Sequence, residues 1–271
     1  MTAPAISSFT ARTVDGATLD CFEQGRGRPL LLITGLSGSS AFWTDIASTL
    51  ARSFRVLRFD QRGIAGSERG SADCTIDVLA RDSLAVLDAA GVDRAVVLGH
   101  SAGGCIAQSL ARQVPERIDG LILSGTWLKP SLYMKRLFAA RQKVLAFDPE
   151  AYATLSVLSA YPPAWIEANS RFYEAAMESA PTTDAAKSVM HERIDAMLAF
   201  DGSADIAALP MPVLVLGARD DMVVPAFHQE ALASALPGCR KAIMETGGHL
   251  FPVSRPDIFT ATVAEWVGAL Q

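Results

Sequence analysis

Short apolar runs alternate with amphipathic stretches along most of the chain, the pattern of β-α-β units and a mostly parallel sheet. Residues 9–14 and 17–23, separated by Asp15-Gly16, predict an antiparallel hairpin at the sheet edge. The first central strand falls at 29–34, followed by a helix over about 40–53, a strand at 55–59 and a helix over 75–90 that Gly91 ends. A strand at 95–100, a helix over 102–113 and a strand at 120–124 continue the alternation. From Trp127 to about Asp205 it stops. No buried strand is legible there, and helical stretches fall near 131–146, 149–160, 164–178 and 182–200, punctuated by Asp148-Pro149, Pro162-Pro163 and Pro181. The sheet pattern resumes with a strand at 213–216, an exposed helix near 226–236, a strand at 241–244 and a closing helix over 257–270. This organisation predicts an α/β core formed by 1–126 and 206–271, with 127–205 inserted after a sheet strand as a helical lid covering a site.

Composition narrows the class. With 271 residues, half of them apolar, the chain can bury one large core. A formal net charge of −5 with no basic arm argues against nucleic acid or an anionic membrane as partner. The N-terminus has neither a basic nor an apolar leader region, and no apolar run approaches a bilayer span, so a cytosolic location is expected. Four scattered cysteines (Cys21, Cys74, Cys105, Cys239) form no C-x-x-C pair, so neither a disulfide nor a zinc site is expected. Cys105, one helical turn past Ser101, is read as a packing residue.

Candidate chemistry centres on Gly99-His100-Ser101-Ala102-Gly103, which places a serine between small residues where an apolar strand turns into a helix bearing Ile106, Leu110 and Val114 on one face. Such an elbow strains the serine backbone, lifts its hydroxyl above the sheet and aims free helix N–H groups at any anion formed there. A serine hydroxyl needs a base, and the chain has four histidines. His249 follows a late strand in Thr246-Gly247-Gly248-His249, where two glycines let an imidazole turn back over the sheet edge. His191 and His228 fall on helices and read as surface residues, while His100 should point away from Ser101 and be a hydrogen-bonded core histidine. The acid should lie on a loop between serine and histidine, where Asp220 and Asp221 both qualify.

These features make the chain resemble the α/β-hydrolase superfamily over nearly its whole length. Besides the elbow, Ile33-Thr34-Gly35-Leu36 stands where the superfamily has a His-Gly-x oxyanion loop, and Asp60-Gln61-Arg62-Gly63-Ile64-Ala65-Gly66-Ser67 where it has Asp-x-Arg-Gly-x-Gly-x-Ser. The resemblance implies an eight-stranded, mostly parallel sheet flanked by helices and a Ser-His-acid triad needing no metal, nucleotide or flavin. It also implies an oxyanion hole formed by the N–H groups of Leu36 and Ala102. Thr34 departs from the usual histidine, which leaves the main-chain donors in place. Laid without a gap on the family's strand-to-proline segment, Pro212 and Pro225 stay in register and Asp221 takes the acid position; counting from Gly217 instead selects Asp220. The ungapped frame asks for fewer coincidences, with Ala218 in place of the usual glycine.

More narrowly, Gly125-Thr126-Trp127-Leu128, Tyr161-Pro162-Pro163-Ala164-Trp165 and the Asp220 to Pro225 loop look like the aminoacrylate hydrolases and 3-oxoadipate enol-lactonases. That likeness implies a small metabolite whose ester, enol-lactone or amide bond lies near a carboxylate. Trp127, Tyr161 and Trp165 are candidate pocket residues, Trp127 foremost because it leaves a sheet strand. A cation for the carboxylate is sought among Lys129, Lys135, Arg136, Arg141 and Lys143 near the lid's entry, with Arg171 farther along. A carbon–carbon bond hydrolase or perhydrolase of the same fold would share the triad, and a ligand receptor would share the fold. The residues do not indicate an oligomeric state.

Overall fold

A computed structural model describes residues 4–204 and 206–270. Met1 to Ala3, Asp205 at the end of the helical stretch and Gln271 lie outside the described residues. The eight strands are β1 (Ile6–Arg12), β2 (Thr18–Gln24), β3 (Pro29–Ile33), β4 (Arg55–Phe59), β5 (Ala95–His100), β6 (Ile118–Ser124), β7 (Val213–Ala218) and β8 (Arg240–Met244). They form one sheet in the order β1-β2-β4-β3-β5-β6-β7-β8. The β1 and β2 pairings are antiparallel and all others parallel.

The central strands are apolar at nearly every position because both faces are covered. Alternation sorts their side chains into two layers. Leu30, Leu32, Val96, Leu98, Ile122, Leu214 and Leu216 pack with α1 (Thr44–Leu50) and the closing helix Pro256–Gly268. Leu31, Ile33, Val97, Leu121, Leu123 and Val215 pack with α2 (Ile76–Ala89) and α3 (Ala102–Gln113). From β3 the chain goes to β4 on one side and returns to β5 on the other. The carboxyl ends of β3 and β5 therefore flank a switch point, where a crevice opens in sheets of this kind.

Over those ends lie five helices, α4 (Leu132–Phe147), α5 (Pro149–Ala160), α6 (Pro163–Ala168), α7 (Ser170–Glu178) and α8 (Asp184–Ala199). Ser131, Asp148 and Thr183 cap α4, α5 and α8 with side-chain acceptors, which fixes where each begins. The single helix read over 164–178 is divided at Asn169, which leaves helical geometry and donates its side-chain amide to the Trp165 carbonyl at 2.8 Å. The predicted exposed helix near 226–236 forms as α9 (Phe227–Ala235), but it is half sunk into the molecule. Gln229 donates to the Thr126 carbonyl at 2.9 Å, and His228, read as a surface residue, is buried with Nε2 3.1 Å from Ser131 Oγ. His191 is half-buried on α8. A short helix, α10 (Phe251–Ser254), precedes α11 (Pro256–Gly268).

Candidate active site

Ser101 stands between β5 and α3 with φ 57° and ψ −124°, a region a non-glycine residue enters only at a cost. Strand and helix pass so closely that a Cβ at Gly99 would lie 2.1 Å from the Gly103 carbonyl oxygen, and one at Gly103 would lie 2.3 Å from that of Ile33. Here glycine is required by contact with neighbouring backbone. His249 arrives on the loop after β8, where Gly247 and Gly248 have φ of 151° and 66°. The Asp220 carboxylate holds that loop, accepting from Gly247 N–H at 3.1 Å and Gly248 N–H at 2.9 Å.

These elements bring Ser101, His249 and Asp221 into one hydrogen-bonded chain. His249 Nε2 lies 2.9 Å from Ser101 Oγ and Nδ1 lies 2.8 Å from Asp221 Oδ2. Oδ1 of Asp221 accepts from the N–H groups of Val223 at 2.8 Å and Val224 at 2.7 Å. With an ionised carboxylate at Nδ1, that nitrogen carries the proton and Nε2 is left to accept from the serine; the tautomer follows from the network. Of the two aspartates, 221 meets the imidazole and 220 braces the loop that carries it.

Across from the imidazole runs the loop after β3. A Cβ at Gly35 would lie 2.9 Å from Ser101 Cβ, so this backbone rests against the serine. The N–H groups of Leu36 and Ala102 have no acceptor among the described residues. Thr34 turns its hydroxyl back on the loop, donating to the Ser39 carbonyl at 3.1 Å. Gln61, from the Asp-Gln-Arg-Gly segment, donates to the Thr34 carbonyl at 2.7 Å. Arg62 beside it is buried against Asp82 and Asp15, and their shared hydrogen bonds hold the Asp15 carboxyl well below the usual range.

Arg193 of α8, absent from the sequence candidates, reaches this loop. It donates to the Leu36 carbonyl at 2.8 Å, the Gly35 carbonyl at 3.1 Å and Gln61 Oε1 at 2.6 Å. The sequence does carry a signal for it. Met190, Ile194 and Met197 mark an inward-facing apolar stripe at helical spacing, and Arg193 is a charge set on that stripe.

His100 lies behind the site with Nδ1 3.0 Å from Ser124 Oγ and its ring 5.1 Å from that of His249. Burial, with the neighbouring His249 ring adding to it, pushes its pKa well below the ordinary value, so the ring is neutral. Cys105 is buried in the core, and burial raises its thiol pKa.

Ser101 and His249 open on a cavity of about 160 Å³, and a second of about 260 Å³ adjoins it. Leu36, Ser37, Arg141, Ser156 and Leu250 line both. Of the candidate pocket residues, Tyr161 lines the second cavity and Trp165 stacks behind it at 4.3 Å. Trp127 lines neither: Gln108 holds its carbonyl at 2.9 Å and draws the β6 exit down onto α3, burying the indole in the core. Among the basic residues proposed near the lid's entry, Lys129, Lys135, Arg136 and Lys143 face solvent, as does Arg171. Arg141 is buried, donating to Ser156 Oγ at 2.6 Å and Tyr152 Oη at 3.2 Å. Its Nε has no partner, and no carboxylate pairs with it among the described residues. No helix among them is long and apolar enough to cross a membrane.

Residues 28–256 match the α/β hydrolase fold family. Curated relatives named "Putative carbamate hydrolase RutD" include one from Azorhizobium caulinodans, 35% identical over 91% of this chain and 94% of its own. Another, from Caulobacter sp. strain K31, is 35% identical over 94% and 97%. Among solved structures, a hydrolase from Pseudomonas aeruginosa PA01 superposes with a TM-score of 0.86 at 28% identity, covering 97% of this chain and 99% of its own. The enol-lactonase from Burkholderia xenovorans LB400 shares the fold with a TM-score of 0.86 at 23% identity, covering 96% and 100%. The sheet order, the serine elbow and these matches agree that the chain belongs to the α/β-hydrolase family and is a hydrolase of that fold.

Proposed function

We propose that the protein is a cofactor-independent serine hydrolase that cleaves an ester, enol-lactone or amide bond of a small, negatively charged metabolite through an acyl-enzyme. The observation that carries this reading is the unbroken chain Ser101–His249–Asp221, facing a cavity beside two free N–H groups. Ser101 Oγ attacks the carbonyl carbon as its proton passes to His249 Nε2, and Asp221 stabilises the imidazolium. The negative charge gathering on the carbonyl oxygen is met by the N–H groups of Leu36 and Ala102. Collapse of the adduct breaks the bond to the leaving group, which takes the proton from His249. Water then gives a proton to the same nitrogen and attacks the acyl carbon, releasing the acid and restoring the serine.

Arg141 supports the choice of an anion. Its guanidinium is buried without a carboxylate, held by Ser156, Tyr152 and the faces of the Phe138 and Tyr152 rings at 4.9 Å, and it lines both cavities, so an anionic group there would meet a cation already in place. The name of the RutD relatives fits, since a carbamate ion is a compact anion. Two measurements test the reading. An activated aryl ester should release a burst of one phenol per active site, and Ser101→Ala should fold normally while losing 10³-fold or more of the activity, as comparable triads do. A folded Ser101→Ala protein with wild-type turnover would overturn it.

A further inference from the structure

The peptide linking Gly35 to Leu36 has two ends with different fates. Its N–H is the free donor beside Ser101, while its carbonyl accepts from Arg193 Nη2 at 3.1 Å and from Gly38 N–H at 3.0 Å. A trans peptide is planar, with C=O and N–H pointing in opposite directions, so whatever fixes the carbonyl also aims the N–H. Arg193 also holds the next carbonyl, that of Leu36, and Gln61 Oε1, while Gln61 holds the carbonyl before, that of Thr34. Three successive carbonyls are thus tied down, two of them by one guanidinium on a helix distant in sequence. A cation on the carbonyl also polarises the amide and makes its N–H a stronger donor.

The setting of Arg193 is costly without such a role. It is 3% exposed, its Nη1 has no partner, and no carboxylate pairs with it among the described residues. Burial lowers its pKa to about 10, which still leaves it charged at neutral pH. Burying a lone cation is costly, so packing alone does not account for an arginine here; what distinguishes it is the three acceptors it holds on the loop.

We propose that Arg193 is a positioning residue that sets and polarises the Leu36 N–H, so that the oxyanion hole is complete only while α8 is seated on the oxyanion loop. The inference rests on the serine-hydrolase reading above. It predicts a loss confined to the tetrahedral state, since the N–H meets charge only there.

The test compares wild type, Arg193→Met and Arg193→Lys for kcat and KM on an aryl ester, for inhibition by a phenylboronic acid, which forms a tetrahedral adduct on the serine, and for binding of the product carboxylate. Arg193→Met should lose about 10²-fold in kcat, the scale of one oxyanion donor, with KM within about threefold. Boronate affinity should fall in parallel while product affinity holds, and Arg193→Lys, which keeps the charge, should recover part of the loss. Unchanged kcat and boronate affinity would overturn the proposal, as would equal weakening of boronate and product, the mark of a merely loosened helix. If neither variant folds, Gln61→Leu, which removes an acceptor of Arg193 and the hold on Thr34, should show the same selective loss at about tenfold; an even loss overturns the proposal. An active Ser101→Ala protein, or a wild type indifferent to boronate, would instead fail the serine-hydrolase reading.

Discussion

Replacing Asp221 with asparagine tests the site through a single proton. In the native arrangement Oδ1 accepts from two backbone N–H groups, Val223 and Val224, and Oδ2 faces His249 Nδ1. An asparagine has one oxygen and one NH₂, and two fixed backbone donors outbid one imidazole for the oxygen. Its NH₂ is therefore driven toward His249, where it can only donate, so Nδ1 becomes the acceptor and the proton moves to Nε2. That nitrogen can no longer take the serine's proton. The same tautomer error in a comparable triad costs about 10⁴-fold in kcat, equivalent to about 5.4 kcal/mol of transition-state stabilisation. Asp220→Asn meets a different environment, since its carboxylate braces Gly247 and Gly248 and never meets the ring. It should lose one backbone contact, about 1–3 kcal/mol of stability, and less than about tenfold in rate. Single-turnover acylation with an aryl ester reads the chemical step, and the pH profile of acylation separates a tautomer defect from misfolding. An Asp221→Asn enzyme within tenfold of wild type, or a larger loss from Asp220→Asn, would refute the reasoning.

Other outcomes follow from single contacts. Gly35→Ala, whose Cβ would lie 2.9 Å from Ser101 Cβ and 3.1 Å from the His100 carbonyl, should reduce kcat about 10²-fold by displacing the serine; a wild-type rate would contradict the packing. Arg141→Met should cut the preference for a carboxylate-bearing ester over its methyl ester by about tenfold in kcat/KM, or about 1.4 kcal/mol, and a ratio equal to wild type would retire Arg141 as the anion's partner. Acid should destabilise the fold through His100 and His228, whose pKa values burial holds below the unfolded value. The unfolded chain binds more protons as pH falls below about 6.5, so unfolding free energy drops by up to about 1.4 kcal/mol per pH unit for each histidine, and His100→Gln should flatten the slope. A pH dependence of Tm unaltered by that substitution would count against a neutral buried ring.

The sheet was legible because strands covered on both faces carry nearly continuous apolar runs, and the elbow because its serine and flanking glycines fall within one five-residue motif between strand and helix. What escaped depended on contacts distant in sequence. His228 looks like a polar helix residue until Ser131, nearly a hundred positions earlier, arrives to take its hydrogen bond. Trp127 looked like a pocket residue because it leaves a strand, yet Gln108 on the neighbouring helix decides where it goes. The basic residues from Lys129 to Lys143 are alike in sequence, and only the packing of α4 against α5 separates buried Arg141 from its exposed neighbours. Asp220 and Asp221 are adjacent and chemically identical, so their division of labour follows from the turn geometry after β7.

The backbone of Ser101 sits in a conformation that costs of order 1–3 kcal/mol for any residue with a Cβ, and glycine alone escapes most of that cost. On backbone grounds alone glycine is favoured here, so the position proposed to carry the nucleophile is also one where selection for stability alone pulls against serine. A population of variants enriched for heat resistance or expression, with no demand on turnover, would drift toward a durable and inert scaffold. Under the serine-hydrolase proposal, the strain at this serine is a conformational cost that only a need for the reaction would sustain.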